Sequence, residues 1–518
     1  MAQMRSRREQ VDAHRFITSR MNQALVLANP DSVERPLRRI GVSIFASVMI
    51  MVLIMGGFMI AALLGKGNNP PAFNHIIFEK GTNAIYVYTS ISGQEDGTEK
   101  LWPVTNYTSA LLLLNPYDGD PPTQSLKPES LQGYERGYTV GIQNAPPSPP
   151  PSESLLQDTN WNACSLPATA GGMSGRLISE VVVEDFPDAD YLGSDRFMLV
   201  QSQDGEKQYV LWDDRKYAIS EETMNALTIQ TSKRYTVREN ILHTIQSGPN
   251  LAVADPGYFN TPSSYELDGA ILTYGATLES GGQTYVLMEG EDGEELAPIG
   301  EVSRALLENE YDLPTIENVS SSDISDLGVQ AVYEEPGFPQ ELGEQETLDG
   351  DQPALCSVFD PSIPFEEEDE NHNPKIALFQ LAPQTARDSA KSVTLDSEGN
   401  IEGLVRQEAL TVLPPGSAAI VAAKPLGSTT LEGIRYLIDS TGIKYGIVDQ
   451  GETGSTQALL GYGSIEPVGI PDAILNMIGE GVDLDPEDAR SQLDPDGDTP
   501  VYDTGEDPAG EDEEDGSE

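Results

Sequence analysis

Basic residues are scarce in this chain: 30 Lys and Arg stand against 84 Asp and Glu over 518 residues, a formal net charge of −54. So acidic a chain repels phosphate backbones, which excludes general nucleic-acid binding. It also repels anionic lipid headgroups wherever positive charge is not concentrated locally. Cysteine is nearly absent, at two, and histidine numbers four. A structural zinc site or an iron–sulfur cluster therefore lacks its usual ligands. His14, His75, His243 and His372 are widely scattered, and no His-Glu-x-x-His occurs. A phosphate-binding loop is missing: around Gly65-Lys66 the flanking positions hold Ile60 and Gly67. A Gly-x-Ser-x-Gly elbow is missing too, and Gly171-Gly172-Met173-Ser174-Gly175 reads as a flexible turn. Carboxylates are so abundant that any chance pair resembles an acid/base couple, and they are assigned to solvation. No catalytic, cofactor-binding or metal-binding residue is assigned.

Long apolar runs are also missing, with one exception. Hydrophobic residues make up 38%, and 48 Gly and 37 Pro favour many short elements and loops. The exception is Ile40 to Leu64, 25 residues without a charge. As a helix it is roughly 38 Å long, enough to cross a ~30 Å hydrocarbon core. It is longer and starts later than a cleaved signal peptide, and no small-residue cleavage site follows it. Residues 40–64 are read as a transmembrane helix. Arg35, Arg38 and Arg39 precede it directly, and only Lys66 follows closely. The positive-inside rule then places the N-terminus in the cytoplasm and residues 67–518 outside. That external part has 21 bases against 80 acids, or −59.

Residues 1–39 are a short basic cytoplasmic segment, +4 from eight Arg and four acids. Phe16, Met21, Ala24 and Leu25 fall close to one face of a helix over about Val11 to Leu27, and Asn29-Pro30 stops it. Two readings stay open: a helix resting on the inner membrane surface, or a docking helix for another protein.

Four external segments share a pattern of aromatic strand, polar turn, second strand, then a small helix ending in Ala-Leu. They are Tyr86-Val87-Tyr88 with Leu101-Trp102-Pro103-Val104, Tyr209 to Trp212 with Tyr217-Ala218-Ile219, Tyr285 to Met288 with Leu296 to Ile299, and Tyr436-Leu437-Ile438 with Lys444 to Ile447. Gly or Asp turns between such runs are a hairpin signal. Ala110-Leu111, Ala226-Leu227, Ala305-Leu306 and Ala458-Leu459 follow at six, seven, six and eleven residues. Units of ~50–60 residues bury little surface alone, so these must lean on each other or on a shared core. The fold class is α+β: one N-terminal transmembrane helix and an elongated extracytoplasmic region of four small α+β repeat modules around a β-rich core domain.

The expected boundaries are 72–145 for module one, 201–260 for module two, 261–354 for module three with an acidic loop, and 426–480 for module four. Segments 146–200 and 355–425 form the core. Pro146 to Pro151 is a stiff polyproline-type linker. Residues 481–518 are an acidic disordered tail; from Asp483 on there are 16 acids and one base. Asp494, Asp496 and Asp498 hint at a calcium loop, but without the downstream Glu of an EF-hand they are assigned to the solvated tail. Cys164 and Cys356 both lie outside, where disulfides persist. Pairing is the default reading, two buried thiols the alternative. A bond would bring both flanks of modules two and three together into the core.

The N-terminal Gln10-Val11-x-x-His14-Arg15-Phe16, Arg20-Met21-x-x-Ala24-Leu25-Val26, Asp31 and Pro36-Leu37-Arg38, followed by the apolar span, resembles the EccB family. EccB is a membrane component of the type VII (ESX) secretion system of actinobacteria. The likeness continues through Leu101-Trp102-Pro103-Val104-x-Asn106-x-x-Ser109-Ala110, Gly141-Ile142-x-x-Ala145-Pro146, Trp161-x-x-Cys164 and Arg435-Tyr436-Leu437-Ile438-Asp439, to about residue 480. The resemblance implies an elongated extracytoplasmic part with four repeats around a β-rich core. It implies a core disulfide, mapping onto Cys164 and Cys356. It also implies self-association and assembly with EccC-, EccD- and EccE-like membrane subunits for export of folded helical substrates. The function expected is a structural, non-enzymatic subunit of the secretion core complex, integral to the cell membrane with a single pass. The alternatives are an extracytoplasmic nucleotide hydrolase and a cell-wall-binding anchored protein.

Overall fold

A computed structural model describes residues 7–27, 36–64, 69–91, 99–117, 119–168, 176–290, 293–313, 315–334, 336–363, 373–391, 394, 401, 408–426, 431–449 and 455–493. Contacts divide the chain into two units, residues 1–71 with 126–132, and residues 72–125 with 133–518. The first unit carries helices α1 (Arg7–Leu27) and α2 (Pro36–Leu64). The second is mixed α+β.

All four hairpins are present, and each sits in a larger sheet of one recurring topology. In module two, Arg196–Ser202, Gln208–Trp212 and Arg215–Ala218 form an antiparallel meander. After a helix, Arg234–Val237 returns parallel to the first strand; after a second helix, Gln246–Ser247 returns parallel to the third. Module four repeats this with the meander Ala418–Lys424, Glu432–Asp439 and Ile443–Ile447, and the parallel strands Val468–Pro471 and Gly479–Glu480. Module three has the meander Thr277–Ser280, Gln283–Glu289 and Glu294–Ile299 with Thr315–Ile316 parallel to its first strand. Its fifth strand shrinks to one parallel bridge, Leu296 to Val329. In module one, His75–Glu79, Ile85–Thr89 and Lys100–Val104 form the meander, Thr123–Leu126 joins its first strand, and parallel bridges run from Leu101 to Arg136 and from Val104 to Val140. A two-residue turn can join antiparallel strands, but a parallel return needs a crossover, which the small helices supply.

A glycine-on-aromatic contact locks the fifth strand in three modules. A Cβ added at Gly137 would lie 2.1 Å from the Trp102 ring, at Gly248 2.2 Å from Tyr217, and at Gly481 2.7 Å from Tyr445. Each glycine follows or ends the parallel return, and each aromatic is on the third meander strand. No other residue type lets the backbone approach the ring so closely. Gly481→Ala is expected to cost about 1–3 kcal/mol through overpacking. An unchanged thermal midpoint for that variant would contradict the contact.

The short motifs that carry the family resemblance also gain physical roles. Asn106 caps the helix Tyr107–Leu112, its Oδ1 accepting from Ser109 N at 2.8 Å, and its Nδ2 donates to Ile142 O. Ile142 N in turn donates to Ser109 Oγ. Gly141 at φ +128 lets the chain pass Thr105, whose Oγ1 would be 2.4 Å from an added Cβ. Trp102 is buried and its Nε1 donates to Thr89 O.

The modules share cores, as their small size requires. Leu111, Val140, Leu437 and Leu459 pack in one cluster of modules one and four. A second cluster joins the central sheet (Trp161, Phe359), module two (Leu211, Ile241) and module four (Val421, Ile474). A third joins module two (Tyr217, Met224) to Val302 and Leu306 of the helix Glu301–Tyr311 in module three. The central six-stranded sheet draws on Trp161–Pro167, Leu177–Val183, Asp190–Tyr191, Ala354–Phe359, Lys375–Phe379 and Leu410–Val412.

Pairing corrects several expected boundaries. Arg196–Ser202 belongs to the sheet of module two, not to a core segment ending at 200, and Ala418–Lys424 belongs to that of module four, not to a core segment ending at 425. Glu344–Gln345 pairs with Arg196–Phe197, so the end of the 261–354 segment returns to module two. The Pro146–Pro151 run is not a free spacer. Tyr107 N donates to Pro147 O, Thr108 Oγ1 to Pro146 O, and the Tyr462 hydroxyl to Pro150 O. The tail does not begin at 481. Leu484 and Ala489 are fully buried, the helix Pro486–Arg490 is capped by Asp485, and Gln492 bridges to Val140. Two apolar anchors and a capped helix outweigh the repulsion of the surrounding acids. His372, Gly171 to Gly175 and the Asp494, Asp496 and Asp498 run lie outside the described residues.

Candidate functional site

The feature that defines the first unit is α2. Within it Gly41–Met59 is 19 residues long, has a mean hydropathy of 2.4, and buries nothing. Length and composition suit a membrane crossing. Arg38 and Arg39 fall in its first turn, and Arg35 lies outside the described residues. Helix α1 begins four residues before the expected start at Val11. Its Phe16, Ile17, Met21 and Leu25 are exposed, Leu25 at 80%. An apolar set left so open on a helix is a surface for lipid or for another chain.

In the second unit, the centre of the core sheet carries Cys164 and Cys356. They stand directly opposite each other on the antiparallel strands Trp161–Pro167 and Ala354–Phe359 and are bonded, with S–S 2.05 Å. Both are fully buried. Cys164 faces Glu180 across the other edge of its strand. Glu180 is fully buried as well. Its Oε1 accepts from Ser389 Oγ at 3.0 Å, and its Oε2 has no partner. Burial pushes this carboxyl up to about 8, against the opposing effect of the Ser389 hydrogen bond. The acid is therefore neutral at pH 7. Sequence reasoning missed it, although a Glu inside Ile178-Ser179-Glu180-Val181-Val182-Val183 is an anomaly for a buried strand.

Lysines wholly or partly buried are the second surprise in so acidic a chain. Lys216 Nζ donates to Leu242 O, and Lys444 Nζ donates to Leu475 O at 3.2 Å. These are equivalent positions in modules two and four: third strand of the meander to the last turn of the second helix. Each ammonium meets carbonyls at a helix C-terminus, where positive charge is favoured. Burial pushes Lys216 down to about 8 and lowers Lys444. Lys424 lies 5.3 Å from the Phe359 ring centre, and burial pushes it also down to about 8.

An open cleft of about 630 Å³ is lined by Gln203, Asp204, Arg238, Glu239, Asn240, His243 and Glu408. Three carboxylates oppose Arg238 and His243. Glu239 also pairs with Lys207 and lies 3.8 Å from His243. Polyphosphate recognition needs convergent cations, and this lining does not offer them. The disulfide and the capped helices hold the fold, and the neutral acid is buried within it; none forms a nucleophile with a base.

Comparison with known proteins identifies the family. The family model described as Type VII secretion system ESX-1, transport TM domain B matches residues 3–495. A Mycolicibacterium smegmatis protein named ESX-1 secretion system ATPase EccB1 is 24% identical over 503 residues, covering 94% of this chain and 95% of the relative. A Mycobacterium tuberculosis protein of the same name is 31% identical over 259 residues, 49% of each chain. Among solved structures, a chain of an intact ESX-5 inner membrane complex aligns at TM-score 0.62 and 19% identity, over 97% of this chain and 99% of that one. The EccB3 dimer from the ESX-3 core complex aligns at TM-score 0.59 and 20% identity, over 80% and 99%. With a family match across nearly its whole length and one fold shared with those chains, this protein belongs to the EccB family of type VII secretion membrane components.

Proposed function

We propose that this chain is a structural subunit of a type VII secretion membrane complex, held by one pass of α2 with its N-terminus in the cytoplasm and the β-rich unit outside. The observation that carries this reading is the family match over residues 3–495 on a chain with, among the described residues, one exposed apolar helix long enough to cross a membrane. Arg38 and Arg39 at the start of α2, with Arg35 before it, support the orientation. The partners are EccC-, EccD- and EccE-like membrane subunits and further copies of the chain. The solved relative described as a dimer supports self-association. The Cys164–Cys356 bond serves as the lock of the central sheet, which suits an oxidising compartment.

In membrane vesicles of known sidedness, a tag on the N-terminus is expected on the cytoplasmic side and one after Ser491 on the opposite side. Protease shaving reads both. A C-terminal tag found in the cytoplasm would reject the orientation and with it the placement of the disulfide.

A second reading is favoured by one observation: the curated relatives carry the word ATPase. Against it stand the missing phosphate loop and the acid-rich cleft at Arg238. Purified full-length chain in detergent is expected to release no phosphate from ATP above a heat-treated control. Saturable release that disappears on Arg238→Ala would establish the hydrolase instead.

A further inference from the structure

A smaller cavity lies where modules two and three join. It holds about 240 Å³ and is lined by the Pro249–Ala254 segment, by Ser303, and by Tyr333, Glu334 and Phe338. Ser303 is on the helix Glu301–Tyr311, whose Val302 and Leu306 pack against module two. The cavity wall is thus part of the joint itself.

Four features define what fits. The size is below the ~300–1,000 Å³ of drug-sized sites, so it suits one side chain or a small molecule. Tyr333 and Phe338 give aromatic walls. The Tyr333 ring is buttressed by Phe259 at 6.0 Å. Ser303 is 2% exposed, yet its Oγ has no hydrogen-bond partner. A buried hydroxyl without a partner costs about 1–3 kcal/mol, and a ligand donor would recover it. Glu334 supplies the charge. Its Oε1 accepts from Gly300 N at 2.8 Å and its Oε2 from Gln340 Nε2, so the carboxylate is fixed, and each oxygen keeps a second acceptor position. Among the described residues, no Lys, Arg or His lines the cavity.

We propose that this cavity is a binding site for an alkylammonium group, of the kind a lysine side chain carries. The apolar stem lies against Tyr333 and Phe338, where a cation also gains from the ring faces. The ammonium reaches the Glu334 carboxylate and the Ser303 hydroxyl. An anion meets Glu334, and a purely apolar group leaves Ser303 unpaired. An external region of −59 favours the approach of cations. Because both modules line the cavity, occupancy braces their joint.

The test uses the full chain in detergent, titrated calorimetrically with Nα-acetyl-lysine methylamide, its norleucine counterpart, and 1,5-diaminopentane. The lysine amide is expected to bind about tenfold or more tightly than the norleucine amide, the loss of one charged hydrogen-bonded contact. Glu334→Gln keeps an acceptor for Gly300 and removes the charge; Ser303→Val removes the hydroxyl. Each is expected to weaken the lysine amide about tenfold and leave the norleucine amide unchanged. Lysine amide binding more tightly than the free diamine assigns the site to a polypeptide lysine, and the reverse order to a small amine. Equal binding of lysine and norleucine amides, no binding of either amine, or insensitivity to Glu334→Gln would overturn the proposal.

Discussion

Replacing Cys164 and Cys356 together with alanine is expected to lower the stability of the second, mixed α+β unit by up to about 5 kcal/mol, the loop-entropy limit for a closure of this length. The bond spans 192 residues. Between its ends lie all of modules two and three, so its loss frees the unfolded chain over more than a third of the sequence. The folded state loses only the contacts of the two sulfur atoms, which are fully buried beside Leu166, Ile178 and Val358 of the same cluster. Differential scanning calorimetry of the double variant against the parent, and of the parent with and without reductant, measures the effect. A midpoint shift under about 2 °C would show that the shared apolar cluster, not the bond, holds the central sheet. The prediction concerns the fold first. In the assembled complex, the same variant is expected to fail by losing abundance, since one or two kcal/mol already changes the folded fraction several-fold.

Glu180 gives the second large effect, with a defined pH signature. Its folded-state value is raised from 4.5 to about 8. Below pH ~4.5 both folded and unfolded chains carry the proton, and Glu180 contributes no pH dependence. As pH rises from there, the unfolded chain ionises while the folded chain keeps its proton. Stability then falls by about 1.4 kcal/mol per pH unit until pH ~8, and is flat above it. The full loss has a ceiling of about 5 kcal/mol. Glu180→Gln keeps the acceptor for Ser389 Oγ and removes the titration. The variant is expected to match the parent near pH 4.5 and to exceed it by several kcal/mol near pH 8. Urea unfolding at the two pH values reads the difference between them. A constant offset at both would mean that Glu180 ionises freely in the folded protein. The acid is costly at neutral pH, and its position opposite Cys164 places that cost beside the bond that offsets it.

Some of this architecture is legible locally. The apolar helix is written as 25 uncharged residues, and the hairpins as aromatic strands around Gly and Asp turns, because both signals sit within a dozen or so neighbours. Asn106 and Gly141 stand out in the sequence only as parts of the EccB-like motifs; the cap and the close passage depend on partners that only the folded chain supplies. The parallel returns were not legible. Gln246–Ser247, Gly479–Glu480 and Thr315–Ile316 are two residues long, too short to show any alternation. They are strands only because a meander edge is there to receive them. The same holds for Pro486–Arg490, which composition places in an acidic tail. Leu484 and Ala489 find an apolar site made by modules one and four, which no window of sequence contains.

What the sequence alone determined is the anchor, the charge asymmetry across it, the four hairpins and the family. Each depends on composition or on contacts a few residues apart. The tertiary structure decided which strands close each sheet, where modules end, that Cys164 meets Cys356 strand to strand, that Glu180 and Lys444 are buried, and that Ser303 and Glu334 line one cavity. Those facts depend on which distant segments bury each other's apolar faces, and burial is a property of the assembled chain, not of any residue's neighbours in sequence.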